Sequence, residues 1–468
     1  MTFVEGIKTV VVLGGAYAGA RAVQILSKGL PLEGWRIVLV DRNTHINHVY
    51  VFPRLAVLPG HEHKGFIPFS KLLLPTRTQD LFIHATVRSV HPSYVVLDRA
   101  FPDRGIPTPK IHFDYLVYAL GSTLPAPLDL WGSNPDGGVA LPLRRKTNAV
   151  TGVMKPYAGT KQDGILWLKA HQEVIKASES LLVVGGGALG IQFATDIAVI
   201  HPEKTITLLH SRHRLLPRFD EKMHTEILDT LMALNIEVVL GERLDMQSIS
   251  DNSLSATKLN NGQGQRVAKT LQGRELTADL ILLCTGQKPN TYFLSEMDKR
   301  CINPHDNLAH VLRTMQLGIL SVPCDAEESE TEITPYPNIF VIGDAADAFG
   351  AIPAGHAAYY QGEVAARNIL RLISCSSKCL GLEECLNRER HGRDGEDFLK
   401  KECEEWEPLE HYAPGLPAIK VSLGLTKSIS QALNGVVRTS DDGVPDLNAA
   451  VIWRFFGCDV KKEDDMYA

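Results

Sequence analysis

The chain has 468 residues, 44% of them hydrophobic and 22% charged, and its formal net charge is −6 at pH 7. This length exceeds what one hydrophobic core usually serves, so two or three domains are expected. The negative net charge gives no general attraction to phosphate backbones, and we expect no nucleic-acid partner. No apolar run reaches the ~18 residues of a membrane-spanning helix. We therefore predict a soluble, globular protein.

The beginning of the chain, MTFVEGIKTVVVLGG, has neither the basic and apolar regions of a signal peptide nor an Arg-rich transit pattern. Position 2 is Thr2, where N-myristoylation would require glycine. We expect a cytoplasmic protein. A removed presequence, or a peripheral position on a mitochondrial or other membrane surface, stays open.

The eight cysteines include no C-x-x-C pair. Three of them crowd at 375–385 with a spacing unlike the familiar zinc frameworks. Thiols in a reducing compartment are the expected state. The sequence therefore predicts no metal site.

One pattern occurs twice: an apolar strand, a glycine-rich turn, a helix and a second apolar strand. The first copy has a strand at 9–13, a turn at 14–19, a helix and a strand at 36–41. The second copy has the same elements at 180–184, 185–190 and 205–210. Continuous β-branched and leucine runs are typical of strands buried on both faces of a parallel sheet. The repetition predicts two nucleotide-binding domains.

The predicted fold class is α/β, with two Rossmann-like dinucleotide-binding domains, the second inserted in the first, and a small C-terminal α+β module. Further strands are predicted at 113–122, 278–286 and 337–344, followed by a helix at 353–372. The charged stretch 374–410 predicts a mobile insertion, a linker or a solvated helix. The predicted domains are 1–123 with 287–373, 124–286, the stretch 374–410, and the module 411–468.

The first glycine turn fits the dinucleotide pattern G-x-G-x-x-G except at Ala16, which replaces the second glycine. A helix N-terminus offers N–H groups and a positive dipole end to a pyrophosphate, and glycines allow close approach. Asp41 ends the next strand, where it would accept two ribose hydroxyls. The alternative is a turn that only packs a helix on a strand. The candidate residues of this turn are Gly14, Gly15, Ala16, Tyr17, Ala18 and Gly19.

The second turn fits the pattern fully, with Gly185, Gly187 and Gly190, but the following strand ends in His210-Ser-Arg-His-Arg214 rather than in an acid. A carboxylate there would repel a 2′-phosphate, whereas Arg212 or Arg214 would pair with one. The second turn therefore favours NADPH, and use of both NADH and NADPH stays open. The alternative is that these arginines are solvated surface residues.

A third candidate site follows the predicted strand at 337–344, which ends in Gly343 and Asp344. A carboxylate at this strand end would accept a hydrogen bond from the ribityl chain of a flavin. Taken alone, such an aspartate is most often a helix cap. Because the chain has two dinucleotide patterns, we favour the flavin.

In their order along the chain, these motifs resemble those of the FAD-dependent pyridine nucleotide oxidoreductases. The similarity is greatest to apoptosis-inducing-factor-like proteins of the mitochondrion-associated inducer of death and ferroptosis suppressor type, and type II NADH dehydrogenases are more distant. It extends over about residues 9–372. The resemblance implies FAD at the first turn, NADH or NADPH at the second, Arg54 near FAD and the Val87 backbone at the adenine. The implied FAD contacts outside the turn are Asp41, Arg42, Arg54, Val87, Gly343 and Asp344.

Departures from the family patterns concern the electron acceptor. The cysteine pair that disulfide reductases of this family carry beside the flavin is absent, so electrons should leave the flavin directly. Gln192 stands where relatives often have glutamate, and His356 and Tyr360 stand where quinone-reducing relatives often have glutamine. One helical turn apart, His356 and Tyr360 are candidates for acceptor binding or proton delivery. Ordinary packing of the helix is the alternative.

The expected function is hydride uptake from NAD(P)H and reduction of a small acceptor such as a quinone. Two alternatives stay open: a protein or oxygen as the acceptor, and a non-catalytic redox-signalling protein that binds FAD and nucleotide. An oligomer is also open. The aromatic segment 453–456 is a candidate for contact with a lipid surface, and burial against the FAD-binding domain is the alternative.

Overall fold

The computed structural model describes residues 6–131, 143–144, 157–250, 265–320, 332–389 and 407–467. The chain divides into two compact units, each made of three chain segments. Unit 1 comprises Met1–Arg42, Phe69–Ser122 and Pro289–Pro414. Unit 2 comprises Asn43–Pro68, Thr123–Lys288 and Gly415–Ala468.

Strands and helices alternate through both units. The strands are β1 (Lys8–Leu13), β2 (Trp35–Asp41), β3 (His45–Asn47), β4 (Phe66–Pro68), β5 (Leu81–His84), β6 (Val87–Val90), β7 (Tyr94–Leu97), β8 (Lys110–His112), β9 (Tyr115–Tyr118), β10 (Ser122–Thr123), β11 (Leu143–Arg144), β12 (Ser180–Val184), β13 (Thr205–His210), β14 (Glu237–Leu240), β15 (Arg266–Lys269), β16 (Glu275–Ala278), β17 (Leu280–Leu283), β18 (Lys288–Pro289), β19 (Ala309–His310), β20 (Gln316–Leu320), β21 (Glu332–Val341), β22 (Ala346–Asp347), β23 (Ile419–Ser422), β24 (Ser428–Gln431) and β25 (Val437–Ser440). The α-helices are α1 (Tyr17–Gly29), α2 (Phe52–Leu55), α3 (Lys161–Lys176), α4 (Ala188–Ile200), α5 (Glu221–Ala233), α6 (Gln247–Ser250), α7 (Tyr292–Met297), α8 (Gly355–Glu389) and α9 (Ala449–Phe455).

The main sheet of unit 1 has the strand order β20-β21-β9-β1-β2-β5. Its neighbouring strands are parallel except for β20, which runs antiparallel to β21. Residues 10–13 of β1 have no exposed surface, as a continuous apolar run in a parallel sheet covered on both faces requires. Helices α1 and α8 pack against each other, and β6, β7 and β8 form a separate antiparallel sheet.

The main sheet of unit 2 has the order β11-β17-β12-β13-β14 and is parallel except for β11. Helix α4 follows β12 and is buried on nearly all sides. The C-terminal strands β23, β24 and β25 form an antiparallel sheet whose Val421 and Ile429 share a hydrophobic cluster with Ile191 and Phe193 of α4. The C-terminal sheet is therefore part of the core of unit 2.

The two α/β units confirm the predicted fold class. The chain is divided differently from the prediction in two places, because residues 43–68 and 415–468 both belong to unit 2. The first of these segments was expected in the first domain, and the second was expected to form most of a separate module. The physical reason is burial, since Phe52, Leu55 and Phe66 lie in one hydrophobic cluster with Trp167 and Ile191.

Helix α8 was expected to end near residue 372, and it continues to Glu389. The charged stretch predicted at 374–410 therefore begins as a helix, and its part 390–406 lies outside the described residues. Where the described chain resumes, the Glu410 carboxylate accepts hydrogen bonds from Nε and Nη2 of Arg367, each at 2.7 Å. These bonds tie residue 410 to α8.

The aromatic segment considered for lipid contact is mostly buried. Trp453 and Phe456 are buried, whereas Phe455 is 44% exposed. Trp453 Nε1 donates to the Lys64 carbonyl oxygen at 2.9 Å. The hydrogen-bond partner of Trp453 therefore belongs to unit 2 as well. Within the described ranges, no helix has both the length and the apolar character needed to cross a bilayer.

Candidate functional site

The first glycine turn joins β1 to α1 in unit 1. Gly14 has φ +88°, and an ideal Cβ on it would lie 2.3 Å from the Ala119 carbonyl oxygen. An ideal Cβ on Gly19 would lie 1.8 Å from the carbonyl oxygen of Gly14, and one on Gly15 would lie 2.3 Å from the Phe69 ring. These contacts exclude side chains at all three positions. The turn therefore presents its backbone.

Ala16, which departs from the dinucleotide pattern, is the N-cap of α1. Its φ of −79° and ψ of 163° are extended angles that any residue adopts, so alanine fits without strain. No described side chain caps this end of the helix, and no acid lies in its first turn, which begins with Tyr17 and Ala18. The positive end of the helix dipole is thus not neutralised by a cap or an acid of that turn, which suits a pyrophosphate.

Asp41 ends β2 beside this turn. Its Oδ2 accepts a hydrogen bond from the N–H of Gly15 at 2.7 Å, so the backbone of the turn orients the carboxylate. The carbonyl oxygen of Arg42 lies 2.9 Å from His84 Nε2. Val87 begins β6 and is 6% exposed. The structure brings Asp41 onto the turn, and the contacts assigned to Arg42 and Val87 stay predictions.

Asp344 follows Gly343, whose φ is +76°. Ser122 Oγ donates to Asp344 Oδ2 at 3.0 Å, and Gln361 Oε1 accepts a hydrogen bond from the Gly343 N–H at 2.7 Å. The sequence reasoning did not identify Ser122 or Gln361 as site residues. A polar side chain on the buried face of a predicted helix was the signal for Gln361, which is 3% exposed. Both residues fix the position of Asp344.

The start of α8 lies on the first glycine turn. An ideal Cβ on Gly355 would lie 3.1 Å from the Tyr17 ring, and one on Gly362 would lie 2.5 Å from the Ala18 carbonyl oxygen. The rings of Tyr17 and Tyr359 pack edge to face, with their centroids 5.8 Å apart and their planes at 70°. The turn and the start of α8 therefore form one site within unit 1.

His356 and Tyr360, the predicted acceptor residues, differ in exposure. His356 is half-buried, and burial lowers the pKa of its imidazole. Tyr360 is 50% exposed. Tyr359, which was not predicted, is the tyrosine that packs on the first turn, and burial raises the pKa of its phenol. The acceptor role of His356 and Tyr360 stays a prediction.

The second glycine turn joins β12 to α4 in unit 2. Gly185 has φ +125°, and an ideal Cβ on it would lie 2.9 Å from Thr285 Cγ2. An ideal Cβ on Gly190 would lie 1.8 Å from the Gly185 carbonyl oxygen. At Gly187, by contrast, no described atom lies within 4 Å of an ideal Cβ. The first two glycines are required by packing, and Gly187 faces open space.

His210 occupies at the second turn the place that Asp41 occupies at the first. Its Nδ1 accepts a hydrogen bond from the N–H of Gly186 at 3.1 Å, and its Nε2 lies 3.1 Å from the Arg214 carbonyl oxygen. Because Nδ1 faces an N–H donor and Nε2 faces a carbonyl acceptor, the ring is neutral with its proton on Nε2. Burial lowers the pKa of His210, which favours the same form. Sequence reasoning saw that the acid is missing but not this hydrogen bond.

The two arginines that were candidates for a 2′-phosphate lie in different surroundings. Arg214 Nη2 donates to the Phe219 carbonyl oxygen at 3.1 Å. Arg212 is exposed at the end of the strand that His210 closes. The carboxylate of Glu242, whose N–H donates to the His210 carbonyl oxygen, binds Arg274 Nε at 2.8 Å. Arg212 is therefore the better candidate.

Arg54 does not lie where the resemblance placed it. Its guanidinium has no exposed surface and is held by Asp196 and by backbone oxygens, all within unit 2. A side chain without accessible surface offers nothing to a cofactor. We therefore remove Arg54 from the residues that would contact FAD.

The described cysteines show no redox-active pair. Cys284, Cys301, Cys375 and Cys458 form no disulfide. Burial raises the pKa of the Cys301 thiol to about 12, so this side chain is not a reactive thiolate. Across the described side chains, no group of three or more His, Cys, Asp or Glu residues is arranged to hold a metal ion.

The fold and the two turns define the class of this protein, a dinucleotide-binding α/β protein with one Rossmann-type unit for each of two nucleotides. The profile of the pyridine nucleotide-disulphide oxidoreductase family matches residues 8–362. The chain belongs to this family. It is an FAD-dependent oxidoreductase with NADH or NADPH as reductant.

Individual relatives agree with this assignment. The chain is 39% identical over 455 residues to Fe-regulated protein 8 of Mycosarcoma maydis, covering 95% of this chain and 94% of that protein. It is 26% identical to apoptosis-inducing factor homolog B of Dictyostelium discoideum, over 77% of this chain and 80% of that protein. It is 25% identical to human ferroptosis suppressor protein 1, over 73% and 75%.

The fold is also that of a solved structure. The sulfide:quinone oxidoreductase of Aquifex aeolicus has a TM-score of 0.61 to this chain, at 16% identity, with 96% of this chain and 90% of that one covered. This similarity concerns the fold alone.

The residues of both turns fit dinucleotides. The first turn combines bare backbone and a helix end without a described cap with the Asp41 carboxylate, which suits the adenosine half of FAD. The second turn leaves open space at Gly187, where a pyrophosphate would meet the N-terminus of α4. Which nucleotide each turn holds remains a prediction.

Proposed function

We propose that this protein reduces a quinone-type small molecule with electrons from NADPH. FAD, when bound, supplies the two-electron redox chemistry that links nicotinamide to acceptor. The observation that carries the proposal is the site in unit 1 where α8 begins on the first glycine turn, with the rings of Tyr17 and Tyr359 in contact. Aromatic rings pack well against a planar ring such as a quinone. The exposed Tyr360 marks solvent access at the same helix end.

Direct electron transfer is supported by the cysteines. A disulfide relay needs two close thiols, and the sequence has no C-x-x-C pair. Of the three described cysteines that are buried, Cys284 and Cys301 have pKa values raised by burial. The acceptor would therefore receive its electrons without an intermediate disulfide.

The chain's own residues would supply proton and position. Reduction of a quinone by NADPH consumes one proton in addition to the transferred hydride. His356 at the start of α8 is half-buried, and its lowered pKa favours the neutral imidazole. The neutral ring can take a proton from solvent on one nitrogen and release the proton of the other nitrogen to an acceptor oxygen. Ser122 Oγ donates to the Asp344 carboxylate at 3.0 Å. This bond would orient the carboxylate to accept a second hydrogen bond, from a hydroxyl group of a bound ligand.

The preference for NADPH rests on the end of β13. The neutral His210 brings no negative charge. The carboxylate of Glu242, whose N–H donates to the His210 carbonyl oxygen, is bound by Arg274 Nε and by Thr270 Oγ1, each at 2.8 Å. Arg212 is exposed there. A hydrogen bond to a charged group contributes about 1.5–3 kcal/mol, or roughly 10- to 150-fold in affinity.

Substitution of Arg212 should weaken NADPH and spare NADH. We expect Arg212→Gln to raise the KM for NADPH about tenfold or more, because one charge-assisted bond to the 2′-phosphate is lost, with the KM for NADH nearly unchanged. Steady-state kinetics with both nucleotides measures this. Arg243→Gln, at another exposed arginine of unit 2, is the matched control and should change neither value. Equal KM increases for both nucleotides in Arg212→Gln would refute the preference.

The visible spectrum of the purified protein tests the function itself. We expect oxidised-flavin bands that bleach on anaerobic addition of NADPH and return on addition of a soluble quinone. The double variant His356→Ala/Tyr360→Ala should bleach normally and reoxidise more slowly with the quinone. If the bleached flavin were not reoxidised by quinone but were reoxidised rapidly by oxygen or by a protein, the quinone would be wrong and that oxidant would be the acceptor. Flavin that NADPH does not reduce would contradict the proposal.

A further inference from the structure

One face of helix α4 carries a stripe of three polar residues that ends in a valine. Gln192, Thr195, Asp196 and Val199 have the i, i+3, i+4, i+7 spacing of one helix face. The first three are buried. Gln192 Nε2 donates to Ser422 Oγ at 3.1 Å, in strand β23. This face of α4 is therefore directed towards the C-terminal segment Gly415–Tyr467.

A glycine of the C-terminal segment fits the last position of the stripe. Gly424 has φ +88°, and an ideal Cβ on it would lie 2.7 Å from Val199 Cγ2 and 3.9 Å from the Thr195 carbonyl oxygen. The backbone at Gly424 thus approaches α4 more closely than another residue would allow. The turn between β23 and β24 is positioned against the helix by shape.

Arg54 joins these elements at one point. Its Nη2 lies 2.8 Å from Asp196 Oδ1 and donates to the Gly424 carbonyl oxygen. Its Nη1 donates to the Pro445 carbonyl oxygen at 3.0 Å. A single planar guanidinium therefore connects the segment Asn43–Pro68, helix α4 and two positions of the C-terminal segment.

The charges at this junction fix its geometry. Both side chains of the Arg54–Asp196 pair are fully buried. Burial raises the pKa of Asp196 to about 6, although Arg54 lowers it. A buried ion pair contributes little net stability, but removal of one member leaves the other charge uncompensated. Buried polar pairs of this kind serve to select one arrangement of the packed elements.

We propose that Arg54 is a positioning residue for the nicotinamide nucleotide, acting through helix α4. The N-terminus of α4 lies at Gly187, in the turn where the nucleotide pyrophosphate would bind, and Asp196 lies in the same helix. Arg54 fixes the position of α4 on the C-terminal segment and thereby sets the position of those N–H groups. A misplacement of about 1 Å caused by a distant substitution can cost about 100-fold in the rate of an enzymatic reaction. This inference rests on the nucleotide-binding role of the second turn.

The test compares two substitutions that keep the core filled. Arg54→Lys retains a charge for Asp196 but loses the fork that also reaches Gly424 and Pro445. Arg54→Met/Asp196→Leu removes both charges together. Each FAD-loaded variant is first reduced with dithionite under anaerobic conditions, so that NADPH binds without reacting. Calorimetry then gives the Kd for NADPH, thermal unfolding gives Tm, and absorbance before reduction gives FAD content. We expect FAD content to be unchanged and the NADPH Kd to rise about tenfold or more in both variants. The double variant should keep a Tm close to that of the wild type.

A milder matched pair covers the case in which the Arg54 variants do not fold. Ser422→Ala removes the hydrogen bond to Gln192 on the α4 face, whereas Ser430→Ala alters the neighbouring strand β24 at a position whose Oγ reaches only the Arg438 carbonyl oxygen. We expect a two- to fivefold higher NADPH Kd in Ser422→Ala and no change in Ser430→Ala.

Two results are distinguishable from this expectation. An NADPH Kd equal to that of the wild type in every folded variant, with a lowered Tm in Arg54→Lys, would show that Arg54 serves stability alone and would overturn the inference. A wild-type protein that does not bind NADPH would instead refute the role of the second turn, before any variant is measured.

Discussion

The substitution Gly187→Asp should abolish reduction by NADPH and leave the FAD content unchanged. Gly187 is the N-cap of α4, with φ −85° and ψ 179°, angles that any residue adopts. Because no described atom lies within 4 Å of an ideal Cβ there, the side chain has room. Aspartate is also a favoured N-cap, so the fold should not suffer. The carboxylate would lie where the nucleotide pyrophosphate approaches.

The size of the effect follows from charge repulsion. Two like charges about 4 Å apart cost about 4 kcal/mol at an effective dielectric constant of about 20. This corresponds to a loss of about 1,000-fold in kcat/KM for NADPH. Stopped-flow absorbance of the flavin band measures the reduction rate. Gly187→Asn, similar in shape but neutral, is the control and should lose much less. Reduction of Gly187→Asp at the wild-type rate would exclude the second turn as the nucleotide site.

The glycine turns and the strands that precede them could be predicted because the spacing of their glycines is local in the sequence. Gly14, Gly19, Gly185 and Gly190 are each required by contact with backbone or side chain within 3 Å of an ideal Cβ. At Gly19 and Gly190 the contacting atom is a carbonyl oxygen of the same turn, so the crossing of strand and helix is a local cause. Gly14 and Gly185 instead contact Ala119 and Thr285, which are distant in sequence, and only the spacing of the glycines reports them. The pattern of glycines therefore carried enough information to find both turns.

The partners that complete the sites could not be predicted, because they come from distant parts of the chain. Ser122 binds Asp344 across a separation of 222 residues, and Gln361 binds Gly343 across a separation of 18 residues. Hydrogen bonds of this kind depend on how the elements pack, and no local periodicity reports them. His210 shows the same limit. The sequence shows that no acid ends this strand, but only the hydrogen bonds of the folded chain show which ring nitrogen carries the proton.

The assignment of Arg54 shows where a family resemblance misleads. The resemblance implied that Arg54, a few residues after the strand that ends in Asp41, lies near FAD. The structure separates them at Arg42 and Asn43, where the chain passes from unit 1 to unit 2. The partners of Arg54 are 142 to 391 residues away in sequence. Burial in a core built from three chain segments determined its surroundings.

Buried histidines should make unit 2 sensitive to acid. Burial lowers the pKa of the buried His63 from 6.5 to about 4. His48 is 4% exposed and His171 is fully buried, and burial lowers the pKa of each of these two from 6.5 to about 4 as well. Between these values the unfolded chain binds more protons than the folded one, so the free energy of unfolding falls as pH falls from 6.5 towards 4. A shift of about 2.5 pKa units corresponds to about 3 kcal/mol for each histidine. The contributions of His48 and His171 together are comparable with the whole stability of many domains, about 5–15 kcal/mol.

Replacement of His171 should remove its own part of this pH dependence. Its Nδ1 donates to the Trp167 carbonyl oxygen at 3.2 Å, and its ring stacks on Trp167, so Trp fluorescence reports on its surroundings. In urea unfolding between pH 7 and pH 4, His171→Gln should lose about 3 kcal/mol less than the wild type, because the substituted side chain takes up no proton on unfolding. His112→Gln, at an exposed histidine of unit 1, should lose as much as the wild type. If His171→Gln had the same pH slope as the wild type, His171 would be protonated in the folded state, and its burial would not be the cause of acid sensitivity.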